Sequence, residues 1–179
     1  MVDEQGLRVS HDDIARAAEV GVGTVYRRFP TLDALFDEIF HDRVEVVVEM
    51  IRQATEVDDP WEGLRQYMTA NCELQSSHRG LQDWLRSPGS LKYSMQAQQR
   101  LIPAVALLVE RARAARVLRP EIRPSDIPIA FEMIGAIIDA ARDVDPDLWR
   151  RYLDLLLDGM RGRSRQVRAA RLTAAWLRP

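Results

Sequence analysis

The chain has 179 residues, with 27 Asp/Glu against 25 Lys/Arg and three His, for a formal net charge of −2. Cys72 is the lone cysteine, so no intrachain disulfide forms, and no apolar run approaches the roughly 18 residues that a membrane span needs. An aromatic content of 7% beside long Ala/Leu/Val/Arg/Glu stretches favours helices over sheet.

The charge is unevenly spread. Residues 1–56 hold 12 acids against 6 Arg, residues 57–160 hold 15 acids against 13 Lys/Arg, and residues 161–179 hold six Arg and no acid. An acidic N-terminal third is a poor general footprint for a polyanion, so any nucleic-acid contact made there must be local. No signal-peptide pattern opens the chain, and the expected location is the cytoplasm.

In chain order, the first predicted element is a short helix opened by Ser10. Asp13 follows three residues later, and Asp12 and Asp13 suit the positive end of a helix dipole. Ile14, Ala17 and Ala18 share a face whose small side chains let a second helix come close. Gly21 is expected as the left-handed residue just past the helix end, and Gly23 as the residue that keeps the turn compact. In the second short helix Val25 and Phe29, four apart, point inward. Thr24, Tyr26, Arg27 and Arg28 are left facing out, a dense set of phosphate- and base-capable donors. Together these elements read as a helix-turn-helix that touches double-stranded DNA.

The stretch from Val9 to Phe40, VSHDDIARAAEVGVGTVYRRFPTLDALFDEIF, resembles the N-terminal domain of TetR-family transcriptional regulators. The resemblance is carried by the TVYRRF segment and the following FPTLDALF. It implies an all-helical homodimer in which a three-helix DNA head precedes a larger body that binds an effector and dimerises. It also implies a full helix ahead of Gly6; only Met1–Gln5 stand there, so the expected head lacks that cover over Ile14, Val25, Phe29 and Leu35. The shortfall in burial is about 5–10 kcal/mol at about 1.5–3 kcal/mol per large side chain. A twofold dimer implies a palindromic operator with half-sites about one DNA turn apart.

Thr31 is expected to cap a long helix to about Ala54, with Leu32, Leu35, Phe36, Ile39, Phe40, Val44, Val47, Val48 and Ile51 at three- to four-residue spacing. Asp58-Asp59-Pro60 breaks it. Further helices are expected over 60–77, 80–86, 90–117 with a kink at Pro103, 125–142 capped by Ser125, and 147–160. The fold class is therefore all-α. Residues 1–50 form the helix-turn-helix head, 51–163 the effector-binding and dimerisation body, and 164–179 a basic tail.

Trp61, Tyr67, Met68, Cys72, Trp84, Tyr93, Met95, Phe131 and Met133 are candidates for an adaptable apolar pocket suited to a small hydrophobic effector, with Asn71 and Gln75 as polar handles. Simple core packing is the competing reading for each. Ile134, Ile137 and Ile138, with Leu148, Tyr152, Leu155 and Leu156, offer apolar stripes for a four-helix dimer interface. His11, His41 and His78 are scattered, with no partner at metal-ligand spacing, and neither a phosphate loop nor a nucleophile elbow occurs. No cofactor, metal or catalytic step is expected.

The reading is a ligand-responsive, repressor-type regulator. Thr24 and Arg28 lean to phosphates, and Tyr26 and Arg27 to base edges. The alternative is a dimeric small-molecule-binding or protein-interaction module whose head does not engage DNA. In a second role Arg161, Arg163, Arg165, Arg168 and Arg171 contact nucleic acid or an acidic partner; a solvated basic tail is the simpler account.

Overall fold

The computed structural model describes residues 10–77 and 91–162, with side chains from residue 99 onward in the second stretch. Among the described residues it is all-α: α1 (His11–Ala17), α2 (Val22–Arg28), α3 (Leu32–Glu56), α4 (Pro60–Ser77), α5 (Leu91–Ala114), α6 (Asp126–Ala141) and α7 (Leu148–Met160). The short segment expected over 80–86 and the tail from 163 lie outside the described residues.

Helices α1, α3 and α4 start where a side chain satisfies a free N–H. Ser10 Oγ accepts from Asp13 N at 3.1 Å while the Asp13 carboxylate accepts from Ser10 N at 3.1 Å, closing the reciprocal cap of α1. Thr31 Oγ1 accepts from Ala34 N at 3.1 Å to start α3. Asp59 Oδ1 accepts from Trp61 N at 2.8 Å, with Pro60 at the first helical position of α4, where its missing N–H costs nothing. Ser125 stands at the N-cap of α6 but makes no capping hydrogen bond; Asp126 Oδ2 instead accepts from Arg123 N at 2.8 Å.

The α1–α2 turn departs from expectation. Gly21 has φ −67° and serves as the N-cap of α2, and the left-handed residue is Glu19, at φ 55°. Glu19 N donates to Arg16 O at 3.3 Å and Val20 N to Ala15 O at 3.0 Å, the paired bonds that close a helix around a left-handed residue. A Cβ on Gly23 meets nothing within 4 Å, so Gly23 is not needed for compactness.

The body is built on α3, which runs unbroken through residue 50. Its inward stripe, Phe40, Val44, Val47, Ile51 and Ala54, packs with α4 and α5. At Gly63 the α3 and α4 backbones touch: an added Cβ would stand 2.3 Å from the Ala54 carbonyl oxygen. Arg111 of α5 donates to Thr55 O at 2.5 Å and to Val57 O at 2.9 Å, satisfying carbonyls at the end of α3. Arg43, reaching Leu74 O at 3.4 Å, has its guanidinium pKa lowered to about 10 by burial. The core continues through Leu64, Met68, Leu108, Ile127, Trp149 and Leu153, all nearly solvent-free. The end of α7 returns to the α5–α6 connection, where Leu118 and Arg161 form an isolated antiparallel bridge.

Candidate nucleic-acid interface and body cavity

Thr24, Tyr26, Arg27 and Arg28 are all exposed, yet they do not form one face. Residues two apart on an α-helix project about 200° from each other, whereas three or four apart they lie together. Thr24, Arg27 and Arg28 thus form one surface, and Tyr26 occupies the opposite flank. The Tyr26 ring stacks on the His11 imidazole with centroids 4.1 Å apart and planes 10° apart, leaving the residue 53% exposed.

His11 is the residue that sequence reasoning missed. It is in the first turn of α1, as expected, but its ring is buried, and Nε2 lies 2.8 Å from the Phe29 carbonyl oxygen at the end of α2. A carbonyl only accepts, so Nε2 is the donor. One imidazole therefore fixes the end of α2 and carries the Tyr26 ring. The sole sequence signal was a His three residues ahead of Ile14 on a capped helix.

The two arginines differ electrostatically. Arg28 donates from Nη2 to Glu38 Oε1 of α3 at 2.8 Å, and its guanidinium lies 5.2 Å from the Phe29 ring centroid. Arg27 is exposed and makes no ion pair among the described residues. A phosphate approaching Arg28 competes with Glu38; at Arg27 it does not. At the start of α1, hydrogen bonds from Ser10, followed by Arg16, hold the Asp13 carboxyl below its usual range.

The body contains a cavity of about 200 Å³ among α4, α5 and α6. Of the pocket candidates, Tyr67 and Phe131 line it, with their rings edge to face at 5.6 Å. Asn71 also lines it, with its Oδ1 accepting from Gln75 Nε2 at 3.2 Å. Burial raises the Tyr67 phenol pKa, against a hydrogen bond with Asn71 that lowers it.

The other pocket candidates are placed elsewhere. Trp61 is core beneath the Arg161 guanidinium, 5.2 Å above its ring, and Met68 and Cys72 are fully buried outside the lining. Burial, then Glu73, pushes the Cys72 thiol up to about 12, which leaves it an unreactive core residue. Met133 is corrected outright: it is 55% exposed on the outer side of α6. Trp84 lies outside the described residues, and so do the side chains of Tyr93 and Met95. Sequence reasoning missed the walls Leu101, Ile102, Val105 and Ile127, since an apolar residue type alone does not separate wall from core.

The dimer candidates divide. Ile134 and Ile138 are 2% and 6% exposed and belong to the chain's own core, because α6 is apolar on two faces. Leu148 and Leu156 are half-buried, and Tyr152 and Leu155 are 43% and 56% exposed. Met133, Ala136, half-buried Ile137 and Ala140 on α6 continue this second, outward face, at the i, i+3, i+4, i+7 spacing of a helical stripe.

Capped helix, turn, exposed second helix and helical body define a helix-turn-helix regulator. A family model of bacterial regulatory proteins, tetR family, matches residues 2–39. The fold is similar to that of a TetR transcriptional regulator from Streptomyces coelicolor, at 29% identity and TM-score 0.67, covering 90% of this chain and 92% of that one. A TetR transcription regulatory protein from Mycobacterium vanbaalenii is similar at 28% identity and TM-score 0.62, covering 88% of this chain and 86% of that one. The fatty acid degradation regulator FadR from Bacillus halodurans shares the fold at 20% identity and TM-score 0.61, covering 88% and 92% of the two chains. The sequence matches no curated protein. The tetR-family match in the head and the likeness in fold over the whole chain make this chain similar to TetR-family regulators and support a DNA-binding transcriptional regulator. Among the described residues no helix is long and apolar enough to cross a membrane.

Proposed function

We propose that the chain is a ligand-responsive repressor that binds a palindromic operator as a homodimer, acts in the cytoplasm and catalyses no reaction. The observation that carries this reading is the exposed Thr24, Arg27 and Arg28 surface of α2, held at a fixed angle by the His11 hook. The outward stripe of α6 and α7, exposed or half-buried among the described residues, supports the dimer, since two such helix pairs complete a four-helix contact. An effector in the α4–α5–α6 cavity would shift the population of head positions through α3, which is continuous between the two.

The test is a mobility-shift titration of the protein on DNA flanking its own gene, repeated across salt concentrations. Specific binding is expected, and Arg27→Ala with Arg28→Ala, which removes two arginines from each subunit of the dimer, reduces the slope of log K against log salt by up to about four. Salt-insensitive binding, or none, sinks the reading. A second reading, a ligand-binding or interaction module with a silent head, is favoured by the excess of acids over residues 1–56 and by the capture of Arg28 by Glu38. The same titration decides between them.

A further inference from the structure

The cavity in the body is small, and its polar groups are one-sided. About 200 Å³ lies just above the roughly 150 Å³ of a cavity that admits benzene and below the roughly 300–1,000 Å³ of drug-sized sites. Leu101, Ile102, Val105, Ile127 and Phe131 supply apolar wall, and Tyr67 and Asn71 supply neutral hydrogen-bonding groups. Among the described residues the one charged member of the lining is Glu132, on the exposed side of α6, and it makes no ion pair there. Among the described residues no cation lines the cavity, so an anion entering it would be desolvated without a countercharge and repelled by the carboxylate.

We propose that this cavity takes a single-ring organic molecule bearing no negative charge, with the ring held against the Tyr67–Phe131 pair and Glu132 selecting against anions. The inference rests on the effector-binding reading of the body and specifies the chemistry of its ligand. A ring in this position presents its polar substituent either inward to the Tyr67–Asn71 pair or outward to Glu132. An ammonium gains at Glu132, a hydroxyl is served at either end, and a carboxylate meets only neutral donors inward and a like charge outward.

The test uses three probes that share one ring: benzylamine, benzyl alcohol and benzoate, titrated calorimetrically into the full-length protein at low ionic strength. Benzyl alcohol is expected to bind, benzylamine at least as tightly, and benzoate roughly tenfold more weakly or worse. Glu132→Gln, an exposed and isosteric change, should narrow the amine-to-benzoate gap by about threefold to tenfold. Ile102→Trp, at a half-buried wall position, should block all three.

Benzoate binding as well as benzyl alcohol overturns the proposal. So does indifference to Glu132→Gln, an absence of binding by all three probes, or binding undiminished in Ile102→Trp. DNA release is read separately in the mobility-shift assay. A probe that binds the cavity without releasing DNA removes the ligand-responsive reading and leaves the cavity chemistry standing. Release by a larger or anionic compound, with the three probes inert, does the reverse.

Discussion

From Ser10 to Phe29 the described residues bury Ala15, Val25 and the His11 ring, while from Val47 to Met160 they bury a continuous core that includes Trp61, Leu64, Met68 and Trp149. Apolar area holds the body, at about 1.5–3 kcal/mol for each large side chain removed from water. The head is held by directed bonds: the Ser10–Asp13 cap, the turn closed at Glu19, and the His11 hook onto Phe29. Each is worth about 0.5–2 kcal/mol. Among the described residues the candidate DNA-binding part is thus the part with the fewer buried apolar contacts, as suits a unit that opens locally.

The body should break at its tightest backbone contact. Gly63→Ala places a Cβ 2.3 Å from the Ala54 carbonyl oxygen, and neither partner is the far end of a flexible side chain. Helices α3 and α4 must separate, at a cost of about 3 kcal/mol. In a chain of this size that lowers the thermal midpoint by about 6–12 °C. Gly159→Ala is the control, because a Cβ there meets nothing within 4 Å. It should leave the midpoint unchanged or raise it slightly. Equal midpoints for the two variants in calorimetry would refute the contact.

The head should break at His11. His11→Ala removes the bond to Phe29 O and the stacked support of Tyr26, a local loss of about 1–2 kcal/mol. Hydrogen exchange of amides 14–29 is expected to speed up about fivefold to thirtyfold while the thermal midpoint of the body stays where it was. A body midpoint that falls in step would show that head and body unfold as one unit, and the contrast between them would fail.

The same contrast governs what the sequence revealed. The body helices were legible because a core facing one way imposes a three- to four-residue period, as along Phe40, Val44, Val47 and Ile51. The cap at Ser10 was legible because reciprocal capping needs those side chains at that spacing. Inside and outside were not separable on α6, where Met133, Ile134, Ile137 and Ile138 are equally apolar and only packing shows that Ile134 and Ile138 face in. Tyr67 and Phe131 were found as cavity residues, but Ile102 and Ile127 were not, since a cavity is a property of what fails to fill it. His11 was misjudged as ordinary because its partner is a backbone carbonyl 18 residues away, for which no side-chain pattern exists.

The smallest expected effect sharpens the comparison most, because one chemical change can be made in both regions. Glu19 and Arg116 are the two non-glycine residues with positive φ among those described, at 55° and 59°. They close α1 and α5 in the same way. Val117 N donates to Ala112 O at 3.1 Å and Arg116 N to Arg113 O at 2.9 Å, matching the pair around Glu19. A side chain in this region costs about 1–2 kcal/mol. Glycine removes that strain and returns part of the gain as unfolded-chain entropy, for a net stabilisation of about 0.5–1 kcal/mol. Arg116→Gly lies in the body and should raise the thermal midpoint by about 1–4 °C. Glu19→Gly should leave that midpoint alone and slow exchange of the head amides by about twofold to fivefold. The relief is the same in both places, so a difference in where it is felt measures how independently the head opens. Equal midpoint shifts from the two variants would mean that the DNA-facing helix borrows its stability from the body.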